Sequence, residues 1–500
     1  MESIVDVPLQ RFDRVLTDAL IRQSRAHIAK SLRAGGIDQE GRRISVSLIP
    51  TVLDKSELDS VAVRGRLIRS VLIELIEAFV AEHNAGRTNG PLHGFFAPYA
   101  KWWDLIATEV RHSDHVQLMR YDTARQDDGR WRILESNTCC PAGVVHCAMI
   151  RRAWLRSPLG CVALEDGDPV EYPVDEASSF VEHLVRVAQS ASGNEAPNLA
   201  ICSYRGVYSN ELRTIRRVHA ALRDAGEIPP GDLLLGDVRD IECTDGGPAF
   251  LRGRPIDLVY NKLDPLAIDP GDRTIAGWLA AARSPRVEFL NSLGAMYLSE
   301  AKRSLAFLHD DATRAMLPTG PVAAAAIEEH IPWTRCLPDP AAGADGYATM
   351  RTTELPALWL DRHRYVLKPD ALTRGEGIAV GANLTPDEWL MAIVRGIGEH
   401  GIAQELVAIP TRPGYRGPDG EPAQRQYWGV DLMYYGAEFA GPVSRSHHQM
   451  VINVGAGGSE SPTIVLGNAM ETRPEQVANW TIALSATTST STTYRDQSNG

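Results

Sequence analysis

Apolar residues along this chain fall into two kinds of pattern. Ile68, Val71, Leu72, Leu75, Ile76 and Phe79 recur every three or four positions, the spacing that lines one face of a helix. That spacing predicts a mostly helical region over residues 1–110, ending in a helix from Lys101 to Arg111. Within it, N-G-P-L-H-G-F-F-A-P-Y (Asn89 to Tyr99) is a Gly/Pro-punctuated aromatic loop that either plugs a core edge or lines a pocket. Then the pattern shortens. Met119 to Thr123 and Trp131 to Glu135 read as two strands joined by Gln126-Asp127-Asp128-Gly129, because D-G between apolar-bearing runs signals a hairpin. A helix, V-V-H-C-A-M-I-R-R-A-W, follows Gly143, and 111–165 is taken as one segment.

After a polar, proline-bearing linker at Asp166 to Asp175, short apolar runs at 199–204, 232–238, 256–262 and 287–292 alternate with helical stretches at Glu211 to Ala225 and Thr274 to Ala282. This alternation predicts a small α/β unit with a parallel sheet over 195–295. A dinucleotide reading fails, since no G-x-G-x-x-G turn follows its first strand. Residues 299–470 begin with a helix, E-A-K-R-S-L-A-F-L-H. They continue through I-P-W-T-R (331–335), a loop at 338–346, Y-V-L-K-P (365–369), A-V-G (379–381), a helix from Thr385 to Ile397 and A-Q-E-L-V (403–407). Three antiparallel strands are expected at 426–435, 438–446 and 450–454, followed by G-A-G-G-S. The polar tail 484–500 is expected to be disordered.

Composition narrows the class. Hydrophobic content of 44% and charged content of 23% are ordinary for a globular protein, and a net charge of −12 argues against nucleic acid or an anionic membrane as partner. No run approaches the ~20 apolar residues of a membrane span. M-E-S-I-V-D lacks the basic start of a signal peptide, and seven scattered cysteines look like reduced thiols, so a cytoplasmic location is expected.

Candidate chemistry gathers at two places. On the second hairpin strand Glu135 and Asn137 are two positions apart and leave the same face. Antiparallel pairing brings Asp122 beside them, giving hard oxygen donors suited to Mg²⁺. Downstream, a buried strand ends in Lys368, and the permissive turn T-R-G-E-G (373–377) offers backbone N–H groups to phosphate. A-Q-E-L-V offers strand backbone to an adenine edge. Arg445 is a phosphate or carboxylate contact. The alternatives stay open: a solvated hairpin face for Asp122 and Glu135, a surface lysine for Lys302, small residues near a tight site or thiol chemistry for Cys139 and Cys140, and strand-end residues or a substrate contact for His447 and His448.

Together these residues resemble ATP-grasp ligases. R-x-D, a dozen residues, then L-E-x-N-x-x-P-G is the metal-strand pattern of that family, here Arg120, Asp122 and L-E-S-N-T-C-C-P-A-G. It precedes V-L-K-P and A-Q-E-L-V by more than 200 residues, the reverse of the usual order. Reversed order is the mark of the circularly permuted branch that includes glutathionylspermidine synthetase. E-F-L-N-S-L-G with a following lysine (Asn291, Lys302), I-P-W-T-R and I-N-V-G-A-G-G also resemble that branch, over roughly residues 110–467. Where relatives often carry Gly-Gly-Lys-Gly, this chain has Arg374-Gly375-Glu376-Gly377; Glu376 would repel phosphate and Arg374 would compensate.

The resemblance implies an α+β / α/β fold, a circularly permuted ATP-grasp with an N-terminal helical region and a small pre-ATP-grasp-like unit. It implies an ADP-forming carboxylate–amine ligase using ATP and Mg²⁺ on small-molecule or peptide substrates. Asp122, Glu135 and Asn137 would hold the metal, and Arg120 would meet the transferring phosphoryl group. Lys302, Lys368, Arg374, Gly375, Gly377, Gln404, Glu405, Leu406 and Arg445 would line the nucleotide. A carrier-protein thiol as acceptor, or a non-catalytic nucleotide-binding protein, are the competing readings; substrates and oligomeric state are left open.

Overall fold

Helix α1 (Asp18–Gly35) starts on Thr17, whose hydroxyl accepts from Leu20 N–H, and ends on Gly36 in the left-handed conformation. The computed structural model that shows this describes residues 17–37, 44–163, 169–205, 210–338, 347–370, 375–412, 425–455 and 457–467. Arg374, the loop beyond 338, the start of the polar linker and the tail 484–500 lie outside the described residues. Helix α2 (Lys55–Asn84) is capped by Asp54, and its apolar stripe at Ile68, Val71, Leu72, Leu75, Ile76 and Phe79 is fully buried.

The N-terminal region is less helical than its periodicity predicts. Ser45–Val46 pairs in parallel with Ser459–Ser461, and Thr51–Asp54 pairs in parallel with Thr463–Leu466. Their partners lie some 400 residues away, so nothing local announces these strands. The expected helix at Lys101 to Arg111 shrinks to a 3₁₀ turn, Ala97–Trp102, and one helical turn, Trp103–Ala107. The aromatic stretch before it is not a loop: Pro91–Phe95 is helical, and Phe95, Phe96 and Tyr99 are buried against one another. It is core.

The hairpin forms as strands β1 (Leu118–Arg125) and β2 (Trp131–Asn137), closed where Gln126 N–H donates to the Arg130 carbonyl at 2.8 Å. Helix α3 (His146–Leu155) follows. Four strands, Leu199–Ser203, Leu233–Asp237, Leu258–Asn261 and Glu288–Leu290, pair in parallel, with helix α4 (Asn210–Ala225) connecting the first two. Asn291 ties this sheet to the hairpin. Its Oδ1 accepts from Gln117 and Leu118 N–H at 2.6 and 2.8 Å, and its Nδ2 donates to the carbonyls of Leu118 and Thr138.

The helix expected from Ser299 is broken. A π-turn spans Ala295–Ser299, and helix α5 (Arg303–His309) begins only after Lys302, which sits at its N-cap. Strands β3 (Thr334–Cys336), β4 (Tyr365–Lys368) and β5 (Ile402–Glu405) form an antiparallel sheet with Ala379–Val380, in the order β3, β5, β4, Ala379–Val380. Helix α6 (Pro386–Gly398), capped by Thr385, packs beside it. Strands β6 (Gln426–Tyr435), β7 (Glu438–His447) and β8 (Ser459–Ser461) extend the hairpin sheet in the order β8-β7-β6-β1-β2. The expected strand at 450–454 is a turn. Asn453 accepts Gly455 N–H on its side chain at 2.7 Å and Gly458 N–H on its carbonyl at 2.9 Å, and this local pairing replaces a ladder.

One face of the hairpin sheet packs on α2. Tyr121 and Tyr434 reach across it to the carbonyls of Gly65 and Ala62. A Cβ at Gly65 would sit 2.2 Å from the Tyr434 hydroxyl, so this close approach requires glycine. With the tyrosines turned to α2, alternation sends Arg120, Asp122 and Asp431 to the opposite face. The architecture is mixed α and β with several sheets, and among the described residues no helix is long and apolar enough to cross a membrane.

Candidate active site

Strand register builds the site. Arg120 stands opposite Asn137 and Asp122 opposite Glu135, so all four side chains leave one face of the hairpin. On the next strand Asp431 stands opposite Asp122, and beyond it Glu460 on β8 stands opposite Arg445 on β7. Three carboxylates, Glu135, Asp122 and Asp431, stand side by side, and the arginines reach in from neighbouring positions. Arg445 reaches Asp122 Oδ2 at 2.6 Å and Asp431 at 2.6 and 2.8 Å. Arg120 Nε donates to Asp122 Oδ1 at 2.8 Å, and Asn137 Nδ2 donates to the same oxygen at 2.8 Å.

These contacts set the ionisation. Burial acts to raise Asp122, but Arg120 and Arg445 outweigh it and hold the carboxyl well below the usual range. Asp431 goes the other way: burial, with Asp122 beside it, pushes it up to about 6 against the pull of Arg445. Burial, with Glu211 nearby, likewise pushes Glu460 up to about 7. Neither Asp431 nor Glu460 is singled out in the sequence. A lone Asp inside the apolar run Q-Y-W-G-V-D-L-M-Y-Y was an available signal; Glu460, in the polar run G-G-S-E-S, left none.

A second cluster lies at the hairpin's other edge. The ladder slips between Asp122 and Thr123, which makes Leu134 the extra residue of a bulge. Its freed carbonyl accepts from Lys368 Nζ at 3.0 Å. Lys302 Nζ lies 3.6 Å from Glu135 Oε2. Asp370, two residues past Lys368, holds the two lysine-bearing elements together. Its carboxylate accepts from Arg303 N–H at 2.7 Å, Arg303 Nε at 2.6 Å and the Tyr99 hydroxyl at 3.1 Å, and its carbonyl accepts from Lys302 N–H at 3.3 Å. Burial, with Lys302 nearby, pushes the Lys368 ammonium down to about 8 despite Glu135. Asp370 and Arg303 are further residues that sequence reasoning missed.

The nucleotide-edge candidates sit at the end of β5. Gln404 is buried, its Nε2 donating to Thr334 Oγ1 at 3.1 Å while its Oε1 has no hydrogen-bond partner among the described residues. Glu405 meets Arg132 of β2 at 3.5 Å, which joins this sheet to the hairpin. Leu406 N–H is already given to the Arg364 carbonyl at 2.8 Å, leaving its own carbonyl as the group to offer. Gly375 and Gly377 both adopt positive φ, and a Cβ on Gly375 would lie 2.8 Å from Val451, so the turn packs against the 450–454 segment.

His447 is buried, its ring tilted against that of His448 and accepting Gln449 N–H, and His146 is buried on α3. The Cys139 and Cys140 thiols both lie against the Leu263 carbonyl. The Cys139 thiol, with Lys262, holds Cys140 down to about 6 against burial. Among the described residues no group of three or more His, Cys, Asp or Glu side chains is placed to hold a metal ion. The hairpin's own donor set is two carboxylates and an amide.

No family model matches the chain. Over 186 residues it is 26% identical to an uncharacterized protein of Mycobacterium leprae, a match covering 36% of this chain and 31% of that relative's length. Among solved structures, a putative gamma-glutamylcysteine synthetase from Methylobacillus flagellatus overlays with a TM-score of 0.40 and 12% identity. That overlay covers 84% of this chain and 96% of the other. D-alanyl-alanine synthetase A from Vibrio cholerae overlays with a TM-score of 0.26 and 10% identity, covering 47% and 67%. Neither overlay is close enough to establish a shared fold.

Proposed function

We propose that this chain is an ADP-forming carboxylate–amine ligase on a circularly permuted ATP-grasp scaffold, acting on small-molecule or peptide substrates in the cytoplasm. One observation carries the reading. Two buried ammonium groups, Lys302 and Lys368, converge beside Glu135 at the edge of an arginine–carboxylate row. Burial, with Lys302 beside it, pushes Lys368 down to about 8, and a bound polyphosphate would favour its charged form again. The hairpin donors fit Mg²⁺ in kind, since all are hard oxygens: Asp122, Glu135 and the Asn137 amide would hold it. Bound there, the ion would neutralise phosphate charge.

The chain's own side chains then account for the chemistry. A substrate carboxylate oxygen attacks the γ-phosphorus of ATP and ADP leaves, giving an acyl phosphate. An amine nitrogen attacks the acyl carbon, phosphate leaves, and the nitrogen loses a proton. Phosphoryl transfer asks mainly for alignment and charge neutralisation. Lys302 and Lys368 would hold the nucleotide phosphates, with Arg374, Gly375 and Gly377 covering them and Gln404, Glu405 and Leu406 at the base and ribose. Arg120 would meet first the transferring phosphoryl group and then the tetrahedral oxyanion, a donor role typically worth ~10²–10³ in rate. Arg445 would fix Asp122 and Asp431 beneath it.

The experiment mixes the chain with Mg-ATP and pools of amino acids, di-acids and polyamines, and follows ADP, phosphate and new masses. Substrate-dependent ADP with an amide product is expected, and Glu135→Gln should abolish it with the fold intact. AMP with pyrophosphate, or an active Glu135→Gln, would overturn the reading.

A further inference from the structure

The segment leaving the hairpin, Thr138–Gly143, is held through its peptide groups by charged side chains. Glu300 accepts from the N–H groups of Thr138 and Cys139, the latter at 2.8 Å. Lys262 Nζ donates to the carbonyls of Cys140 and Pro141, each at 3.0 Å. Glu211 accepts Gly143 N–H at 2.8 Å. Arg120 Nη1 completes the series on the Ala142 carbonyl at 3.3 Å. Ala142 is exposed, between buried Pro141 and Gly143.

Lys262 and Glu211 lie 3.6 Å apart with side chains 11% and 4% exposed. Burying such a pair costs about as much in lost hydration as the attraction returns, so core stability does not explain it. Both groups hold one short segment, upstream of Ala142 through Lys262 and downstream through Glu211, with Lys262 also donating to the Tyr260 hydroxyl at 3.4 Å and Glu211 also accepting from the Val145 backbone. Proline adds stiffness there, because its ring fixes φ at position 141 and restricts Cys140 before it. What stays in one place as a result is the Ala142 carbonyl. The guanidinium of Arg120 is planar, and it is held at two points: Nε on Asp122 and Nη1 on that carbonyl. Two contacts on a planar group set its orientation.

We propose that Glu211 and Lys262 are positioning residues for Arg120. They clamp the Thr138–Gly143 segment so that the Ala142 carbonyl and Asp122 together aim the guanidinium at the reacting phosphoryl group. Glu211 stands at the start of α4 and Lys262 just beyond the strand Leu258–Asn261, so the parallel sheet contributes to turnover through the geometry of one arginine. The reaction assigned to Arg120 rests on the ligase reading; the clamp itself does not.

The test has two arms. Nitrogen NMR of the arginine side chains follows the Arg120 Nη–H signals, which report the contact with the Ala142 carbonyl, in the chain without ligands. Lys262→Met should abolish their protection and Lys262→Arg should retain it, while the Arg303 signal, held by Asp370, stays unchanged as the control for folding. In turnover, Lys262→Met should lower kcat by roughly 10²-fold, the cost of a displaced reacting group, and leave KM for ATP nearly unchanged because Lys302 and Lys368 are untouched. Lys262→Arg should recover most of that loss. If Lys262→Met does not fold, Glu211→Gln carries the same two readouts, since it removes the charge opposite Lys262 but keeps an acceptor for Gly143. An unaltered Arg120 signal beside an intact Arg303 signal overturns the proposal, as does a variant that raises KM at constant kcat. A wild-type chain that releases no ADP with any substrate pair overturns the ligase reading instead, and the arginine signal then decides the clamp alone.

Discussion

Two charge clusters share the same hairpin and are built on opposite plans. In one, Arg120 and Arg445 face Asp122 and Asp431, two cations against two anions, with contacts of 2.6–2.8 Å. In the other, Lys302 and Lys368 share Glu135, and the second ammonium rests on a neutral carbonyl. The first cluster is closed: its charges already satisfy one another, and it holds strands β1, β6 and β7 in register. In the second, burial works against the Lys368 ammonium, and Glu135 faces both lysines. The first cluster fixes Asp122 and aims Arg120; the second is where, under the proposed function, nucleotide phosphates would bind.

That contrast breaks most sharply at Arg445. Arg445→Leu leaves two aspartates buried without their shared partner, and stability should fall by roughly 3–5 kcal/mol in denaturant unfolding. A loss under ~1 kcal/mol, typical of exposed pairs, would mean the cluster is not closed at all. Lys368→Met should behave oppositely. The fold should keep its stability, since the variant removes an ammonium that burial disfavours, while Mg-ATP binding by calorimetry should weaken by roughly 10-fold to 10²-fold, the worth of one charged contact. Equal effects at the two sites would erase the distinction.

Protons sharpen it further. Lys368 is pushed from 10.5 to about 8, so between those values the native chain binds fewer protons than the unfolded one. Its contribution to stability is therefore full above 10.5 and lost as pH falls through 8, while nucleotide affinity runs the other way and declines above pH 8. Both trends should vanish in Lys368→Met. The smallest effect is expected at the end of the closed row. Glu460 is raised from 4.5 to about 7, so its contribution is present below 4.5 and lost as pH rises through 7. Glu460→Gln should flatten that part of the melting-temperature profile; an unchanged profile would place Glu460 outside the row's electrostatics.

The hairpin was legible because its chemistry is local. Arg120, Asp122, Glu135 and Asn137 lie within 18 residues, and a D-G turn with alternating strands sets which side chains share a face. The parallel strands were legible as well, because buried strands read as short apolar runs between helices. What escaped depends on partners far along the chain. Thr51–Asp54 becomes a strand only beside Thr463–Leu466, and Asp431 acquires meaning only opposite Asp122, about 300 residues away. Apolar periodicity misled at 450–454, where M-V-I-N-V resembles a strand but Asn453 and the following glycines fold it into a turn. Lys302 was expected on a helix and stands at its start, where Asp370 draws Arg303 and Lys302 toward β4.

The most direct measurement of the central claim is the fate of a labelled oxygen. With the substrate carboxylate enriched in ¹⁸O, activation as an acyl phosphate moves one carboxylate oxygen to phosphorus, and the released phosphate should carry ¹⁸O alongside ADP in ³¹P spectra. Unlabelled phosphate, or label found in AMP, would contradict it.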